Sequence, residues 1–248
     1  MNAWPLPLWI AHRGAGKLAP ENTLAAFRAG AAHGYRCFEC DVKLSADGVP
    51  FLLHDATLER TSNGQGVAGE LAWSDLSRLD AGSWHSRAFA GEPMPTLAAI
   101  ARFIQHNGFT LDLEIKPSPG TERETGAAVG RACAALWQGQ AVPPLFSSFR
   151  PDALQGARET APEIPRALLV DELWPGWLKM AQALDCVAVI TNHTVMDSGL
   201  MDQLRAAGLR GLCYTVNEPE DARRLLALGI DGIVTDAVDR FSSSRTEL

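Results

Sequence analysis

Short apolar runs alternate with longer stretches rich in Ala and Leu along most of this chain. The apolar runs predict nine strands, at residues 8–11, 35–42, 50–54, 109–116, 145–149, 166–170, 186–191, 211–216 and 231–236. The longer stretches predict helices at residues 23–33, 97–106, 125–137, 151–160, 201–207 and 218–227. Strands that alternate with helices in this way indicate a parallel sheet with crossover helices.

The alternation is broken in two places. Only residues 43–49, with an Asp47-Gly48 turn, separate the second and third predicted strands, whereas a parallel crossover needs about a dozen residues or more. Residues 56–95 are a long polar insertion, and such segments are usually functional or pack on themselves. We therefore predict an α/β fold, a TIM (β/α)8-like barrel, irregular between strands 2 and 3, with a small insertion after strand 3. Residues 1–248 are expected to form this single domain, and one of the nine strands should lie outside the barrel.

Composition narrows the class of protein. The chain has 248 residues, 46% of them hydrophobic, and a net charge of −7, which argues against binding to nucleic acid or stable association with anionic membranes. Five cysteines without paired zinc spacing are predicted to be reduced thiols. The apolar start runs directly into His12 and is predicted to be the first strand instead of a signal sequence. No other apolar run has bilayer-spanning length. The reduced cysteines favour a cytoplasmic protein, and residues 242–248 are expected to form a frayed tail.

Acidic residues cluster on two of the predicted strands. Residues two apart in a strand face the same side, so Glu39 and Asp41 project together, and Glu114 projects from another strand. These three carboxylates offer hard oxygen ligands for one divalent cation, Mg²⁺ or Ca²⁺. Asp112 shares a face with Glu114 but lies roughly 6.6 Å deeper along the strand, which favours a supporting role.

Cations and imidazoles accompany these acids. Arg13 and Lys116 supply positive charge that suits a phosphate beside a metal, and the simpler interpretation is that they, or Lys43, form ion pairs with the acids. His12 and His54 follow apolar runs that would leave them at strand ends. A lone histidine is more often a core or turn residue, but two of them beside acids and cations favour a paired acid and base.

At this point the chain resembles the glycerophosphodiester phosphodiesterases, nearly end to end. The matching stretches are His12-Arg13-Gly14 with Pro20-Glu21-Asn22-Thr23, Glu39-Cys40-Asp41-Val42, His54-Asp55, Arg60-Thr61, Asp80-Ala-Gly-Ser-Trp84, Pro95-Thr96-Leu97, Glu114-Ile115-Lys116, Ser147-Ser148-Phe149, Tyr214-Thr-Val-Asn217 and Gly229-Ile-Asp-Gly-Ile-Val-Thr-Asp236. Each is weak alone, whereas ten in this order are highly specific.

The resemblance implies a metal-dependent TIM-barrel enzyme of the cytoplasmic bacterial type. It would hydrolyse glycerophosphodiesters to glycerol 3-phosphate and an alcohol. The implied roles are a metal at Glu39, Asp41 and Glu114, acid and base at His12 and His54, phosphate contacts at Arg13 and Lys116, and further substrate contacts at Tyr214 and Asn217. Tyr214 stands where the family usually has Trp, which is expected to alter packing against the glycerol moiety.

Other interpretations stay open at this level. A related barrel phospholipase acting on lipid phosphodiesters could dock through Trp73, Trp84 and Phe89, but the acidic balance argues against it. A catalytically silent binding domain would normally have lost one of the active groups, and all are present. The nucleophile is either water or the substrate's own 2-hydroxyl. The sequence leaves open the metal, the assignment of acid and base, and the oligomeric state. No stretch indicates a dedicated head-group pocket, so broad tolerance of head groups is expected.

Overall fold

The computed structural model describes residues 6–241, and in this range nine strands form one sheet. They are β1 (Trp9–Ala11), β2 (Cys37–Leu44), β3 (Pro50–Leu52), β4 (Thr110–Ile115), β5 (Leu145–Ser148), β6 (Arg166–Val170), β7 (Ala188–Asn192), β8 (Arg210–Tyr214) and β9 (Gly232–Thr235). All except β3 pair in parallel in the order β1-β9-β8-β7-β6-β5-β4-β2, and a pairing between β1 and β2 closes the ring. The predicted eight-stranded barrel is confirmed. The predicted tail at residues 242–248 lies outside the described residues.

Helices connect the strands on the outside of the barrel. Those of residues 6–241 are α1 (Leu24–Ala32), α2 (Trp73–Leu76), α3 (Leu97–His106), α4 (Glu122–Leu136), α5 (Pro151–Thr160), α6 (Trp177–Ala183), α7 (Ser198–Ala206) and α8 (Pro219–Ala227). The six predicted helices are present. The bounds of α3 and α5 are those predicted, the other four have shifted ends, and α2 and α6 were not predicted. None of the helices in this part of the chain combines the length and the apolar character needed to cross a bilayer.

Strand β3 is the one that lies outside the barrel. It pairs with β2 in an antiparallel hairpin, with Val42 opposite Leu52 and Leu44 opposite Pro50. Antiparallel strands need only a tight turn between them. This explains why the connection between the two strands is shorter than a parallel crossover requires. The hairpin also extends β2 to Leu44. Glu39 and Asp41 therefore lie well within β2, and the predicted end of this strand at residue 42 was two residues too early.

The barrel has an apolar plug along its axis and a larger core between its strands and the helices. The plug consists of Leu6, Ile10, Cys37, Leu145, Ala167, Leu169, Ala188, Ile190, Leu212 and Val234. On β2, Phe38, Cys40 and Val42 belong to the outer core. Because side chains alternate along a strand, Glu39 and Asp41 share the inner face with Cys37. The charged groups of β2 thus lie along the axis, beyond an apolar floor.

The insertion between β3 and α3 packs on a small core of its own. Apart from α2 it contains two short 3₁₀ turns, Ala68–Glu70 and Arg87–Phe89. This core consists of Phe51 of β3 and of Leu53, Leu58, Ala68, Leu76, Ala81 and Met94 of the insertion. The Ala25 amide donates to Glu92 Oε1 over 2.9 Å, which ties the insertion to the start of α1 at the barrel rim.

Candidate active site

Three buried carboxylates from β2 and β4 meet at the barrel axis. Asp41 lies opposite Glu114 in the register of the two strands, and one oxygen each of Glu39, Asp41 and Glu114 lies within 4.8 Å of the other two. Carboxylates this close and this buried repel one another unless a cation lies among them. The group contains oxygen donors only, which is the ligand set that Mg²⁺ and Ca²⁺ prefer. The residues therefore fit a divalent cation.

The protonation states of these acids differ. Burial raises the pKa of Glu39 well above its usual value, and the charge of Asp41 adds to the effect. Burial and Asp41 likewise raise the pKa of Glu114 to about 8. Burial also opposes ionisation of Asp41, but the charges of Arg13 and Lys116 lower its pKa to about 2. The cluster thus combines one carboxylate with a lowered pKa and two with raised pKa values, and a bound cation would favour ionisation of all three.

Asp112 lies two residues before Glu114 on β4, deeper in the barrel and opposite Glu39. It is buried and accepts a 2.6 Å hydrogen bond from Ser147 Oγ. Burial raises its pKa to about 7. Asp112 is not among the three acids that converge, so its place is beneath the candidate metal site.

Arg13 and Lys116 lie beside the carboxylates. Lys116 Nζ is 2.9 Å from Glu114 Oε1 and 3.6 Å from Asp41 Oδ1. Arg13 Nε is 3.5 Å from Asp41 Oδ2, and this buried atom has no hydrogen-bond partner among residues 6–241. Burial lowers the pKa of each cation, but the neighbouring carboxylates outweigh it and raise both values. The ion pairs expected from the sequence are present for these two cations, whereas Lys43 donates to the Lys116 carbonyl instead.

The turn after β1 has an unusual backbone. Arg13 has φ +51°, a left-handed conformation uncommon for residues other than glycine, and its amide donates to Glu39 Oε2 over 3.0 Å. Gly16 has φ +56°, and a Cβ there would lie 2.1 Å from the Asp236 carbonyl oxygen. This close approach requires glycine. The turn thereby brings the end of β9 against the first candidate histidine.

His12 is held by Asp236, a residue that the sequence analysis did not assign to the site. Burial raises the pKa of Asp236, but its hydrogen bonds with His12 and Asn217 and the nearby positive charge together outweigh this and keep it below its usual value. The ionised carboxylate therefore accepts the 2.7 Å hydrogen bond from His12 Nδ1. Nε2 lies on the other side, 3.7 Å from Glu39 Oε2. Asp236 is the last residue of the last matching motif, and this position could have identified it from the sequence.

Asn217, predicted to contact substrate, has a different position. Its Nδ2 donates to Asp236 Oδ2 over 3.1 Å, and its Oδ1 accepts from the Asp236 amide over 2.9 Å. Its side chain thus supports Asp236 and does not line the main cavity. The structure does not bring this residue to the predicted place, because its amide is used within the protein.

His54 ends a chain of charged groups that reaches Arg13. Its Nδ1 lies 2.7 Å from Asp55 Oδ1, and Asp55 accepts two hydrogen bonds from Arg60 at 2.6 and 2.9 Å. Arg60 makes two further bonds of 2.8 Å to Glu21, which in turn accepts from Arg13 over 2.8 Å. Glu21 and Arg60 belong to matching motifs but were not predicted as site residues.

The pKa of His54 lies below its ordinary value. Burial is the main cause, and the charges of Arg13 and Lys116 act in the same direction. The charge of Asp41 and the hydrogen bond with Asp55 oppose the shift without cancelling it. The neutral imidazole is therefore the favoured form near neutral pH.

These groups surround a cavity of about 420 Å³ at the open end of the barrel, here called the main cavity. Of the predicted residues, it is lined by His12, Arg13, Glu39, His54, Glu114, Lys116 and Tyr214. Asp41 is buried behind them. On the opposite wall, the Tyr214 hydroxyl donates to Asp171 Oδ1 over 2.9 Å, and its ring packs edge-on against Phe149.

Comparisons with known proteins find relatives over nearly the whole chain. The sequence model of the glycerophosphoryl diester phosphodiesterase family matches residues 12–240. The Bacillus subtilis protein YhdW is 36% identical over 236 residues, covering 93% of this chain and 94% of its own. A glycerophosphodiester phosphodiesterase of Caldanaerobacter subterraneus subsp. tengcongensis is 32% identical, covering 92% and 93%. The structure of an Oleispira antarctica phosphodiesterase in complex with the product sn-glycerol-3-phosphate superimposes with a TM-score of 0.88, at 36% identity and 95% coverage of both chains.

Proposed function

The chain belongs to the glycerophosphoryl diester phosphodiesterase family, and from this premise we propose that it releases glycerol 3-phosphate and an alcohol in a metal-dependent reaction. It is an enzyme, a phosphodiesterase acting on glycerophosphodiesters. The observation that carries the proposal is the convergence of three carboxylates, two cations and two histidines on one cavity. The Oleispira relative, described with sn-glycerol-3-phosphate as product, supports the identity of the product.

One divalent cation, Mg²⁺ or Ca²⁺, is proposed to bind Glu39, Asp41 and Glu114. Such an ion neutralises phosphate charge and lowers the pKa of a bound hydroxyl or water. The raised pKa values of Glu39 and Glu114 support the proposal, because they mark a site with too little positive charge for its acids. The three-carboxylate set does not choose between the two metals.

Arg13 and Lys116 are proposed to hold the phosphate. Both line the main cavity beside the carboxylates, and Arg13 Nε, although 3.5 Å from Asp41 Oδ2, is a donor without a hydrogen-bond acceptor within residues 6–241. An oxyanion would supply that acceptor in a charge-assisted hydrogen bond. Charge that develops on the phosphate during transfer would be stabilised by the same two groups.

His54 and His12 are proposed to transfer the protons. The lowered pKa of His54 leaves a neutral imidazole, which suits the base that deprotonates the attacking hydroxyl. His12 would then be the acid that protonates the leaving alkoxide. Asp236 supports this role because its carboxylate can stabilise the imidazolium from the Nδ1 side, leaving Nε2 for the substrate.

The substrate is proposed to be a small soluble molecule. Of the three aromatic residues considered for lipid docking, only Trp84 is exposed; Trp73 packs on Phe51 and Phe89 packs on His85. The insertion therefore offers no broad apolar face. We further propose a cytoplasmic location, since all five cysteines are buried free thiols, as expected in a reducing compartment.

The proposal is tested by measuring which fragment keeps the phosphate. Purified protein with Mg²⁺ or Ca²⁺ is given glycerophosphodiesters with choline and ethanolamine head groups, and glycerol 3-phosphate and the free alcohol are both quantified. Equal amounts of the two products are expected. Release of a phosphorylated head group would overturn the assignment. Hydrolysis of diacyl phospholipid vesicles as fast as of glycerophosphocholine would replace it with the phospholipase alternative.

A further inference from the structure

A second cavity of about 370 Å³ lies on the far side of the His12-Arg13 wall, between the barrel rim and the insertion. Its other walls include Lys17, Glu21 and the neighbouring pair Trp84 and His85. The volume is within the range of roughly 300 to 1,000 Å³ that ligand sites occupy. Glu39, Glu114 and His54 line the main cavity and not this one.

We propose that this second cavity, the leaving-group cavity, binds the alcohol half of the substrate and favours an uncharged polyol such as inositol or glycerol over choline. The inference rests on the proposed function. In phosphoryl transfer the attacking and leaving oxygens lie roughly in line on opposite sides of phosphorus. With phosphate held by Arg13, the alcohol would extend away from His54 and past His12, the histidine that borders both cavities.

The charges on the wall argue against a quaternary ammonium head group. Glu21 accepts from both Arg13 and Arg60, and Asp236 is hydrogen bonded by His12 and Asn217, so the carboxylates of both acids are already engaged within the protein. Lys17 is cationic, exposed and in no ion pair within residues 6–241. Lys17 is therefore the charged side chain of this wall that is free to contact a bound alcohol, and its ammonium donates hydrogen bonds to hydroxyls but cannot do so to a quaternary ammonium.

Trp84 provides a preformed apolar face. It is 38% exposed, and its indole N–H donates to the Ala81 carbonyl over 2.8 Å, so the ring has a fixed position and its remaining surface is apolar. Such a face can pack against the C–H groups of a polyol while the hydroxyls bind elsewhere.

The loop that carries Trp84 is itself braced. Asp80 accepts hydrogen bonds from the amides of Gly82, Ser83 and Gly91. His85 packs edge-on against Trp84 and donates from Nε2 to the Lys17 carbonyl over 3.0 Å. The insertion and the turn after β1 therefore hold the two sides of the leaving-group cavity together.

The test compares head groups of different reach. kcat/KM is measured for glycerophosphoinositol, glycerophosphocholine and the methyl ester of glycerol 3-phosphate, whose methanol is too small to contact Trp84. The variants are Trp84→Ala and Lys17→Gln. Trp174→Ala is the matched control, because Trp174 is also 38% exposed and lines neither cavity.

The wild type is expected to prefer the inositol ester to the choline ester. Trp84→Ala and Lys17→Gln should each lower kcat/KM for the inositol ester by about tenfold or more, as expected when a pocket contact is lost. Neither variant should change kcat/KM for the methyl ester, and the control variant should match the wild type. Equal losses on the inositol and methyl esters, no loss in either variant, or a preference for choline would overturn the inference. Failure to hydrolyse any of the three esters would instead refute the proposed function.

Discussion

Glu114 is buried beside Glu39 and Asp41, and its protonation should therefore control cation binding. Its pKa is raised to about 8 by burial and by Asp41, so near neutral pH a proton must leave before a divalent ion binds. Binding should release protons, and the affinity for Mg²⁺ or Ca²⁺ should rise with pH up to about 8. Calorimetry in two buffers of different ionisation enthalpy measures the release. Glu114→Gln is the control, and binding by the wild type without proton release would contradict this account.

The same shift has a consequence for stability in the absence of metal. The ordinary pKa of this side chain is 4.5 and its folded value is about 8, so the unfolded chain loses the proton first as pH rises. The contribution of Glu114 is fully present below pH 4.5 and is lost between pH 4.5 and about 8. In chelator, the free energy of unfolding of the wild type should fall relative to that of Glu114→Gln across this window. Denaturant titrations at several pH values measure the difference, and parallel curves for the two proteins would refute it.

The two histidines should differ in their response to the leaving group. His12→Ala and His54→Ala should each lower kcat/KM by at least about 10²-fold, the lower end for proton-transfer catalysis. A nitrophenyl ester of glycerol 3-phosphate needs no acid, so it should restore much of the activity of His12→Ala and little of that of His54→Ala. Rescue of His54→Ala alone would reverse the assignment, and a loss below about tenfold in either variant would remove that histidine from the mechanism.

Among the larger elements, the insertion is coupled to the barrel through Arg60. This residue binds Asp55 and Glu21 with two hydrogen bonds each, and it thereby connects the support of His54 to that of Arg13. The pKa of Arg60 is raised by these two carboxylates, so its charge is constant. We infer that Arg60 is a positioning residue.

Replacing Arg60 should therefore lower kcat by more than it raises KM. Lysine cannot make both paired contacts, so Arg60→Lys should lose activity by about 10- to 100-fold, the usual cost of removing a hydrogen-bonded support from a site residue. The limb of the pH profile assigned to His54 should move as well. Arg123→Lys, in the exposed pair with Glu159 on α4 and α5, is the control. A change in thermal stability without any change in kcat or pH profile would reduce Arg60 to a structural role.

The elements were predictable from the sequence wherever a single periodicity operates. The barrel strands and six helices follow from apolar patterns, and alternation along β2 puts Glu39 and Asp41 on one face. The antiparallel pairing of β3 was not predictable, because a short apolar run does not reveal its partner. Helix α6 begins after a left-handed Gly176 in a stretch without clear periodicity.

The candidate site was predictable for charged residues next to strands. Its supports were not, because Asp236, Glu21 and Arg60 act through hydrogen bonds across distant parts of the chain, over 224 residues for His12 and Asp236. Asn217 shows that the position of a residue in a motif does not reveal what its side chain contacts. Its position in a matching motif suggested a substrate contact, whereas its amide holds Asp236.

For the molecule as a whole, the apolar plug explains where the charged groups of the site lie. The apolar plug fills one end of the barrel axis, so the acids and cations converge at the other end, where water and substrate enter. We propose that barrel and insertion act as one domain, since Arg60, His85 and Glu92 of the insertion bond to the rim. The leaving-group cavity exists only because both parts meet.

We have proposed that glycerophosphodiester hydrolysis depends on a cation held by Glu39, Asp41 and Glu114. The most direct test follows glycerol 3-phosphate release from glycerophosphoglycerol in excess chelator, and again after Mg²⁺ or Ca²⁺ is added back, for the wild type and for Glu114→Ala with its fold checked by circular dichroism. The account predicts that chelation abolishes turnover, that one of the ions restores it, and that the variant remains folded and inactive. Full turnover in excess chelator, or normal turnover by Glu114→Ala, would contradict it.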